Sequence, residues 1–388
     1  MTKTNSNRWE DKRLPHDAVD ISVVIPTNGR VTLVERLLQS LVQERDGYLY
    51  GKTEVLVVNS GSESDAREIR NLCQIYDARF IPGENSVRKK RNEGIRQASY
   101  DIILFLDSDV VAEPGLLKAH AETYLYAAEK TLGGVFGVTR FVGKKTWWWK
   151  VVEQTTYLDA FSFAERFPYN AWTIGNNVSF YRRILEEVGL FEENFPFPLG
   201  GDDLDLSYRI TKAGYAIKSC PLAVTLHTTD TWNHPKAIYD RTRRWGSMEY
   251  YLSQRHPEIF TDCIPKSGIL FSITLFLGIL LSLATRSLMP LRFALFWFLI
   301  YICTSYTYDC IHHEGGEPLP YLLGKSIRSL YRLHFQCVGV QKGDFRCFHQ
   351  EMSFSLEQTK YMQRREIAMF EIFLLSWMIT LVGFLICP

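Results

Sequence analysis

Short apolar runs alternate with a helical pattern in the first part of the chain. Three runs are almost continuously apolar, as expected of strands buried on both faces of a parallel sheet: Ile21–Pro26, Thr53–Asn59 and Ile102–Leu106. Between the first two runs, Thr32–Leu41 carries its apolar residues at the spacing of one helix face. The order strand, helix, strand predicts a β-α-β unit and an α/β domain.

Longer apolar runs occur in the last third of the chain. They cover Ser267–Thr285, Phe293–Tyr308 and Ile367–Cys387, the last interrupted by Glu371. At a rise of about 1.5 Å per residue, the first run is just long enough to cross a hydrocarbon core of about 30 Å. Each of the other two is predicted either as a span or as an interfacial helix. The alternative is a buried helical hairpin in a soluble protein.

These patterns divide the chain into a polar N-terminal tail (1–20), an α/β domain (21–255) and a membrane region (256–388). The tail has no apolar run, so neither a secretory signal nor an N-terminal anchor is expected. Basic residues are concentrated between the second and third apolar runs, at Lys325, Arg328, Arg332, Lys342, Arg346, Lys360, Arg364 and Arg365. This bias predicts a multi-pass protein of the cell membrane with its α/β domain in the cytoplasm.

Overall charge and cysteine content exclude other classes of function. The net charge of +1 gives no field that would attract nucleic acid, so no nucleic-acid partner is expected. The 8 cysteines form no C-x-x-C pair, so neither a zinc site nor a redox motif is expected.

Candidate chemistry follows the third predicted strand. Asp107 and Asp109 come directly after it, at the carboxyl edge of the sheet, where α/β proteins bind ligands. Two carboxylates in one crevice offer hard oxygen ligands to Mn²⁺ or Mg²⁺ bridging a diphosphate. The alternative is a solvated turn in which an aspartate caps the next helix.

Several motifs together resemble family 2 glycosyltransferases of the GT-A fold. They are, in chain order, Pro26-Thr27-Asn28-Gly29-Arg30, Arg91-Asn92-x-Gly94-Ile95-x-x-Ala98, Asp107-x-Asp109, Gly175-Asn176-Asn177 and Gly201-Asp202-Asp203-Leu204-Asp205-Leu206 with Arg209, Gly214 and Tyr215. The match extends over roughly Ile21–Trp245. It implies a Rossmann-like mixed sheet that binds a nucleotide-diphosphate sugar, with a UDP-sugar favoured.

The resemblance also implies a role for each matching residue. The general base is Asp203, which could alternatively belong to the acidic first turn of a helix. Donor contacts are expected from Pro26, Thr27, Asn28, Asn59, Arg91, Asn92, Asp107 and Arg244. Acceptor contacts are expected from Asn176, Asp202 and Trp245, and metal contacts from Asp107, Asp109 and His227.

Three of these assignments have open alternatives. His227 follows an apolar run and is either a metal or diphosphate contact or a packing residue. Arg244 and Trp245 lie in Arg241-Thr242-Arg243-Arg244-Trp245, which resembles the Q-x-x-R-W motif of processive polysaccharide synthases; the alternative is a basic helix lying on anionic lipid. The family usually has aspartate where this chain has Asn59.

The leading hypothesis is an inverting, metal-dependent transferase that acts on a lipid-linked or glycan acceptor presented at the bilayer. A processive polysaccharide synthase is the second hypothesis. The third, from another class, is a non-catalytic protein that binds nucleotide sugars. Retention of Asp107, Asp109 and Asp203 together argues against the third.

Overall fold

The computed structural model describes residues 18–128, 131–155, 157–196, 200–264, 266–311, 316–352, 363–364 and 366–378. The strands are β1 (Ile21–Thr27), β2 (Thr53–Asn59), β3 (Arg79–Pro82), β4 (Ile102–Leu106), β5 (Val110–Ala112), β6 (Leu132–Val142), β7 (Asn177–Tyr181), β8 (Ala216–Thr228), β9 (Phe260–Asp262) and β10 (Gln350–Met352). Of the predicted segments, 1–17 of the tail and 379–387 of the third apolar run lie outside the described residues.

The helices follow in chain order. They are α1 (Val31–Asp46), α2 (Glu63–Ile75), α3 (Val87–Gln97), α4 (Leu116–Tyr126), α5 (Trp147–Glu153), α6 (Phe163–Arg166), α7 (Arg182–Glu187), α8 (Asp202–Lys212), α9 (Pro235–Arg255), α10 (Lys266–Thr285), α11 (Met289–Ile311) and α12 (Pro318–Gln341). Residues 366–378 are also helical.

The three predicted strands are β1, β2 and β4, and the predicted helix lies within α1. β1 pairs in parallel with β2 on one side, where Val24 faces Leu56, and with β4 on the other, where Val23 faces Leu104. Every residue of β1 and β4 is buried, because helices cover both faces of a parallel sheet. The predicted α/β class is confirmed.

Among the described residues, eight strands form one sheet in the order β3-β2-β1-β4-β7-β6-β8-β5. β7 runs antiparallel to both β4 and β6, and β5 runs antiparallel to β8, so the sheet is mixed as the resemblance implied. Asn177 of β7 faces Leu106 of β4. This pairing places the Gly175-Asn176 segment beside the aspartates that follow β4.

The chain divides into two compact units. The first comprises residues 1–145 and 157–234 and contains the large sheet; the second comprises 146–156 and 235–388. This division falls at the start of α9, whereas the predicted domain boundary at 255 lies at its end.

Two helices of the second unit are long and apolar enough to cross a bilayer. Gly268–Thr285 has a mean hydropathy of 2.2 and Met289–Ile311 of 1.3. Only 11% of each is buried among the described residues, which argues against a buried hairpin in a soluble protein. The predicted spans 267–285 and 293–308 therefore coincide with α10 and α11.

The close packing of α3 on β1 generates a prediction about Gly94. A Cβ atom there would lie 2.3 Å from Cγ1 of the fully buried Val24, so Gly94→Val should destabilise the first unit by about 1–3 kcal/mol. The matched control is Gly47→Val, since a Cβ at Gly47 meets its nearest atom at 3.6 Å. Thermal melting of the purified variants would measure both effects, and equal melting temperatures would contradict the packing argument.

Candidate active site

The turn between β4 and β5 contains Asp107 and Asp109. Because β5 pairs with β8 and places Val110 opposite His227, the turn brings Asp109 beside the His227 ring. The distance between Asp109 Oδ1 and His227 Nε2 is 3.4 Å. Sequence-distant residues thus meet through one antiparallel strand pair.

The orientation of His227 suits metal binding. Its Nδ1 lies 2.8 Å from the carbonyl oxygen of Thr228, which can only accept, so Nδ1 carries the proton in the neutral ring. Nε2 then carries a lone pair and lies 3.4 Å from Asp109 Oδ1. This distance is that of neighbouring ligands of a divalent cation, and the backbone hydrogen bond fixes the required tautomer.

The described residues contain no group of three His, Cys, Asp or Glu side chains able to hold a metal ion together. Asp107 Oδ1 accepts a hydrogen bond from Arg91 Nη2 at 3.0 Å, and its role as a metal ligand stays a prediction. Asp109 and His227 are the two candidate metal ligands that lie side by side, and the other coordination positions would require further oxygen atoms from a carboxylate, substrate or water.

Arg30 adds a cation to the same crevice. It is the residue before α1 and has a left-handed backbone conformation (φ 60°). Its Nη1 donates to Asp109 Oδ2 at 2.8 Å, and about half of its side chain is exposed. A guanidinium in this position can pair with phosphate oxygens as well as with a carboxylate.

Arg91 of α3 connects the two halves of the site. Its Nη1 donates to Asp202 Oδ2 at 2.8 Å, and its Nη2 donates to Asp107 Oδ1 and to the carbonyl of Gly175, both at 3.0 Å. Arg91 and Asp202 are nearly fully buried, so the carboxylates compensate the charge of the guanidinium. Asp202, predicted as an acceptor contact, faces Arg91 instead of solvent.

Asp203 is the second residue of α8, lies beside this network and is partly exposed. The amide of Gly175 donates to its Oδ2 and the amide of Leu204 to its Oδ1, both at 3.0 Å. Burial and the neighbouring Asp202 carboxylate raise the pKa of Asp203 to about 6, against the opposing effect of Arg91. Such a carboxylate is ionised at neutral pH and is a better proton acceptor than an ordinary aspartate.

The loops after β1 and β2 are tied together by side chains. Asn59 Oδ1 accepts hydrogen bonds from the amides of Gly29 and Gly61, both at 3.0 Å. Thr27 Oγ1 donates to the Gly29 carbonyl at 2.6 Å. Of the other predicted donor contacts here, Pro26 is buried and Asn28 is exposed.

Lys90 connects the same two loops through hydrogen bonds. The sequence patterns did not identify it as a candidate. Its Nζ donates to the carbonyl of Thr27 at 2.7 Å and to Ser60 Oγ at 2.8 Å. Burial, together with Arg30 and Arg91, lowers the pKa of Lys90 to about 8. The signal that could have identified Lys90 is the group of basic residues in α3. Arg88, Lys90 and Arg91 lie at buried positions of this helix, where apolar residues are normally found.

Two predicted site residues form side-chain hydrogen bonds within the protein. Asn92 accepts from the amide of Phe191 at 2.9 Å and donates to the carbonyl of Phe191 and to Glu193. Asn176 is buried and donates to Thr139 Oγ1 at 2.9 Å, whereas its Oδ1 has no hydrogen-bond partner among the described residues. Both side chains hold neighbouring segments in place, and direct substrate contacts by them stay predictions.

Arg244 and Trp245 lie in α9 of the second unit, and both are partly exposed. Their predicted contacts with donor and acceptor also stay predictions. The remaining predicted residues, from Pro26 to His227, belong to the first unit.

Comparison with known proteins identifies the family. The model of glycosyltransferase like family 2 matches residues 17–247, which is more than half of the chain. The chain belongs to this family. The resemblance inferred from the sequence motifs and the predicted glycosyltransferase class are thereby confirmed.

Curated relatives share moderate identity with the chain. Validoxylamine A glucosyltransferase from Streptomyces hygroscopicus subsp. jinggangensis is 28% identical over 65% of this chain and 65% of its own length. Chondroitin synthase from Escherichia coli is 25% identical over 58% of this chain and 38% of its own length. Hyaluronan synthase from Pasteurella multocida is 24% identical over 64% of this chain and 28% of its own length. The chain therefore spans less than two thirds of each relative.

Among solved structures, one similar protein is the mannosyltransferase PcManGT from Pyrobaculum calidifontis in complex with GDP-Man and Mn²⁺. It is 19% identical, with a TM-score of 0.46 over 88% of this chain and 90% of the other.

Proposed function

We propose that this protein is an inverting, metal-dependent glycosyltransferase that moves a sugar from a nucleotide-diphosphate sugar to an acceptor presented at a membrane. The observation that carries the proposal is the bridge made by Arg91. Its guanidinium contacts Asp107, beside the Asp109–His227 pair, and Asp202, beside Asp203. A candidate diphosphate site and a candidate base therefore share one crevice.

Asp109 and His227 would hold the divalent cation, Mn²⁺ or Mg²⁺, on the donor side. A bound cation of this kind neutralises charge on a departing diphosphate. Arg30, paired with Asp109, is placed to contribute a second positive charge to the same leaving group. A UDP-sugar is the favoured donor.

Asp203 would accept the proton of the acceptor hydroxyl. Its carboxylate is held by the amides of Gly175 and Leu204, which fix its orientation without neutralising it. Displacement at the sugar carbon by an activated hydroxyl, with no covalent enzyme intermediate, would invert the configuration.

The membrane location would be provided by α10 and α11. A lipid-linked or glycan acceptor held at the bilayer would then reach a catalytic domain on the cytoplasmic side. The basic residues C-terminal to α11 favour this orientation.

Replacing the proposed base gives the first test. Asp203→Asn should reduce transfer by at least about a hundredfold, because the amide cannot accept the proton. Binding of the donor nucleotide in the presence of Mn²⁺, measured by calorimetry, should be nearly unchanged. In the wild type, kcat/KM should fall as the pH is lowered through about 6, since protonation of Asp203 removes the base.

The matched variant on the donor side is Asp109→Asn, which should lose Mn²⁺-dependent nucleotide binding as well as transfer. Wild-type turnover by Asp203→Asn would rule out its assignment as the base. An acidic limb that persists in any residual activity of that variant would also do so.

Lys90 provides a second test with a neighbouring control. Lys90→Met should weaken donor binding by about tenfold or more, because the loops after β1 and β2 lose their common hydrogen-bond donor. Lys89→Met should bind the donor as the wild type does, because Lys89 pairs with Glu84 at the surface. Calorimetric titration with UDP would compare the two; equal affinities would contradict a positioning role for Lys90.

A polymerising synthase is the second candidate function. It is favoured by the Arg241–Trp245 motif in α9 and by the relatives named chondroitin synthase and hyaluronan synthase. Incubation with radiolabelled nucleotide sugars and gel analysis of the product separates the two candidates. We expect addition of one sugar, whereas a ladder of long chains would establish polymerisation.

A further inference from the structure

Helix α12 carries apolar residues on its exposed side. Leu319, Leu322, Leu330, Leu333 and Val340 recur at spacings of three, seven or eight residues, so they lie along one side of the helix. All five are exposed, with Leu319 at 59% and Leu333 at 49%. Ser326 and Cys337, also exposed, fill the gaps. We call these seven residues the apolar stripe.

A different side of α12 packs within the second unit. The ring of Phe335 contacts that of Tyr250 in α9, with centroids 6.0 Å apart. Gly246 of α9 allows close approach to the Tyr331 carbonyl, since a Cβ there would lie 2.3 Å from that oxygen. The packing of α12 thus uses another face, and the stripe is left exposed among the described residues.

The first turns of α12 are attached to the last turn of α11. Asp309 of α11 is fully buried; Lys325 Nζ lies 2.8 Å from its Oδ2, and the hydroxyl of Tyr321 donates to the same oxygen at 2.7 Å. A buried carboxylate needs such partners. If α11 spans the bilayer, this contact places the start of α12 at the level where the span ends.

The charge of α12 identifies the kind of partner. The helix contains Lys325, Arg328 and Arg332 and no acidic residue; Lys325 pairs with Asp309, and Arg332 Nε lies 3.9 Å from Glu351 Oε1. Three cations in its middle part disfavour α12 as a span. An apolar stripe combined with cations and no acid is typical of helices that lie in the plane of a membrane containing anionic lipid.

We infer that α12 lies in the membrane interface, with the apolar stripe inserted among lipid chains and the exposed Arg328 attracted to anionic headgroups. The inference rests on the proposed membrane location of α10 and α11 and goes beyond it. Neither the candidate active site nor the two candidate spans require α12 to contact lipid.

The test uses the full chain in vesicles that contain anionic phospholipid. In an Arg328→Cys variant, a charged, water-soluble maleimide is offered to the new cysteine and to native Cys337 in the stripe. Trypsin separates the two positions by cleavage after Arg332. Mass spectrometry should show Cys337 reacting at least about tenfold more slowly than the cysteine at 328, the difference expected for burial of a few apolar side chains.

Variants of the stripe provide the second arm. Leu330→Gln combined with Leu333→Gln should restore the reactivity of Cys337, because the helix loses apolar area available for insertion. Ser329→Gln, at an exposed position outside the stripe, should leave Cys337 protected. If the double variant protects Cys337 as well as the wild type does, the inference is overturned.

Native Cys303 in α11 reports on the span in the same samples. A protected Cys303 with a reactive Cys337 would overturn the inference for α12 while membrane anchoring stands. If both cysteines react, anchoring fails and the inference fails with it. Protection of Cys337 that disappears in nanodiscs holding one copy would assign the stripe to a second copy, which also overturns the inference; protection that persists there supports it.

Discussion

The candidate active site depends on the buried guanidinium of Arg91. It receives compensation from Asp107, Asp202 and the Gly175 carbonyl, which come from three separate parts of the chain. An unpaired charge at this depth would cost several kcal/mol, so the three partners and the guanidinium hold one another in place. The same contacts leave Asp203 beside the network, where burial and the Asp202 carboxylate raise the pKa of Asp203. The contacts that compensate the buried charge of Arg91 therefore also place Asp203 where its pKa is raised.

The second constraint is the mixed order of the sheet. Parallel strands β1, β2 and β4 end at one edge and bring their following loops together, as in other α/β folds. The antiparallel strands bring two further residues into the site, which a purely parallel sheet would not do. β7 places Gly175 beside the turn after β4, and the pairing of β5 with β8 places His227 beside Asp109. Antiparallel pairing therefore positions both the candidate metal ligands and the Gly175 amide that donates to Asp203.

The apolar side chains of the second unit differ from those of the first in their exposure. In the first unit apolar side chains fill the interior of the sheet and its covering helices. In α10, α11 and the stripe of α12 they are largely exposed, which is unfavourable in water but favourable in lipid. Lys325 and Tyr321 meet the buried Asp309 where α11 ends, so polar groups mark the junction between the two kinds of helix.

The sequence by itself determined the local elements and the family. Runs such as Ile102–Leu106 predict strands because consecutive apolar residues are expected where a strand is buried on both faces. The ordered motifs from Pro26 to Tyr215 indicate the GT-A class. Asp107, Asp109 and Asp203 were also identified as candidates from motif position. Only the tertiary structure decided which side chains meet: Asp109 with His227, Arg91 with Asp202, and Lys90 with the loops after β1 and β2. These contacts join residues far apart in the chain, and their geometry depends on strand order and register, which local hydrophobic periodicity does not encode.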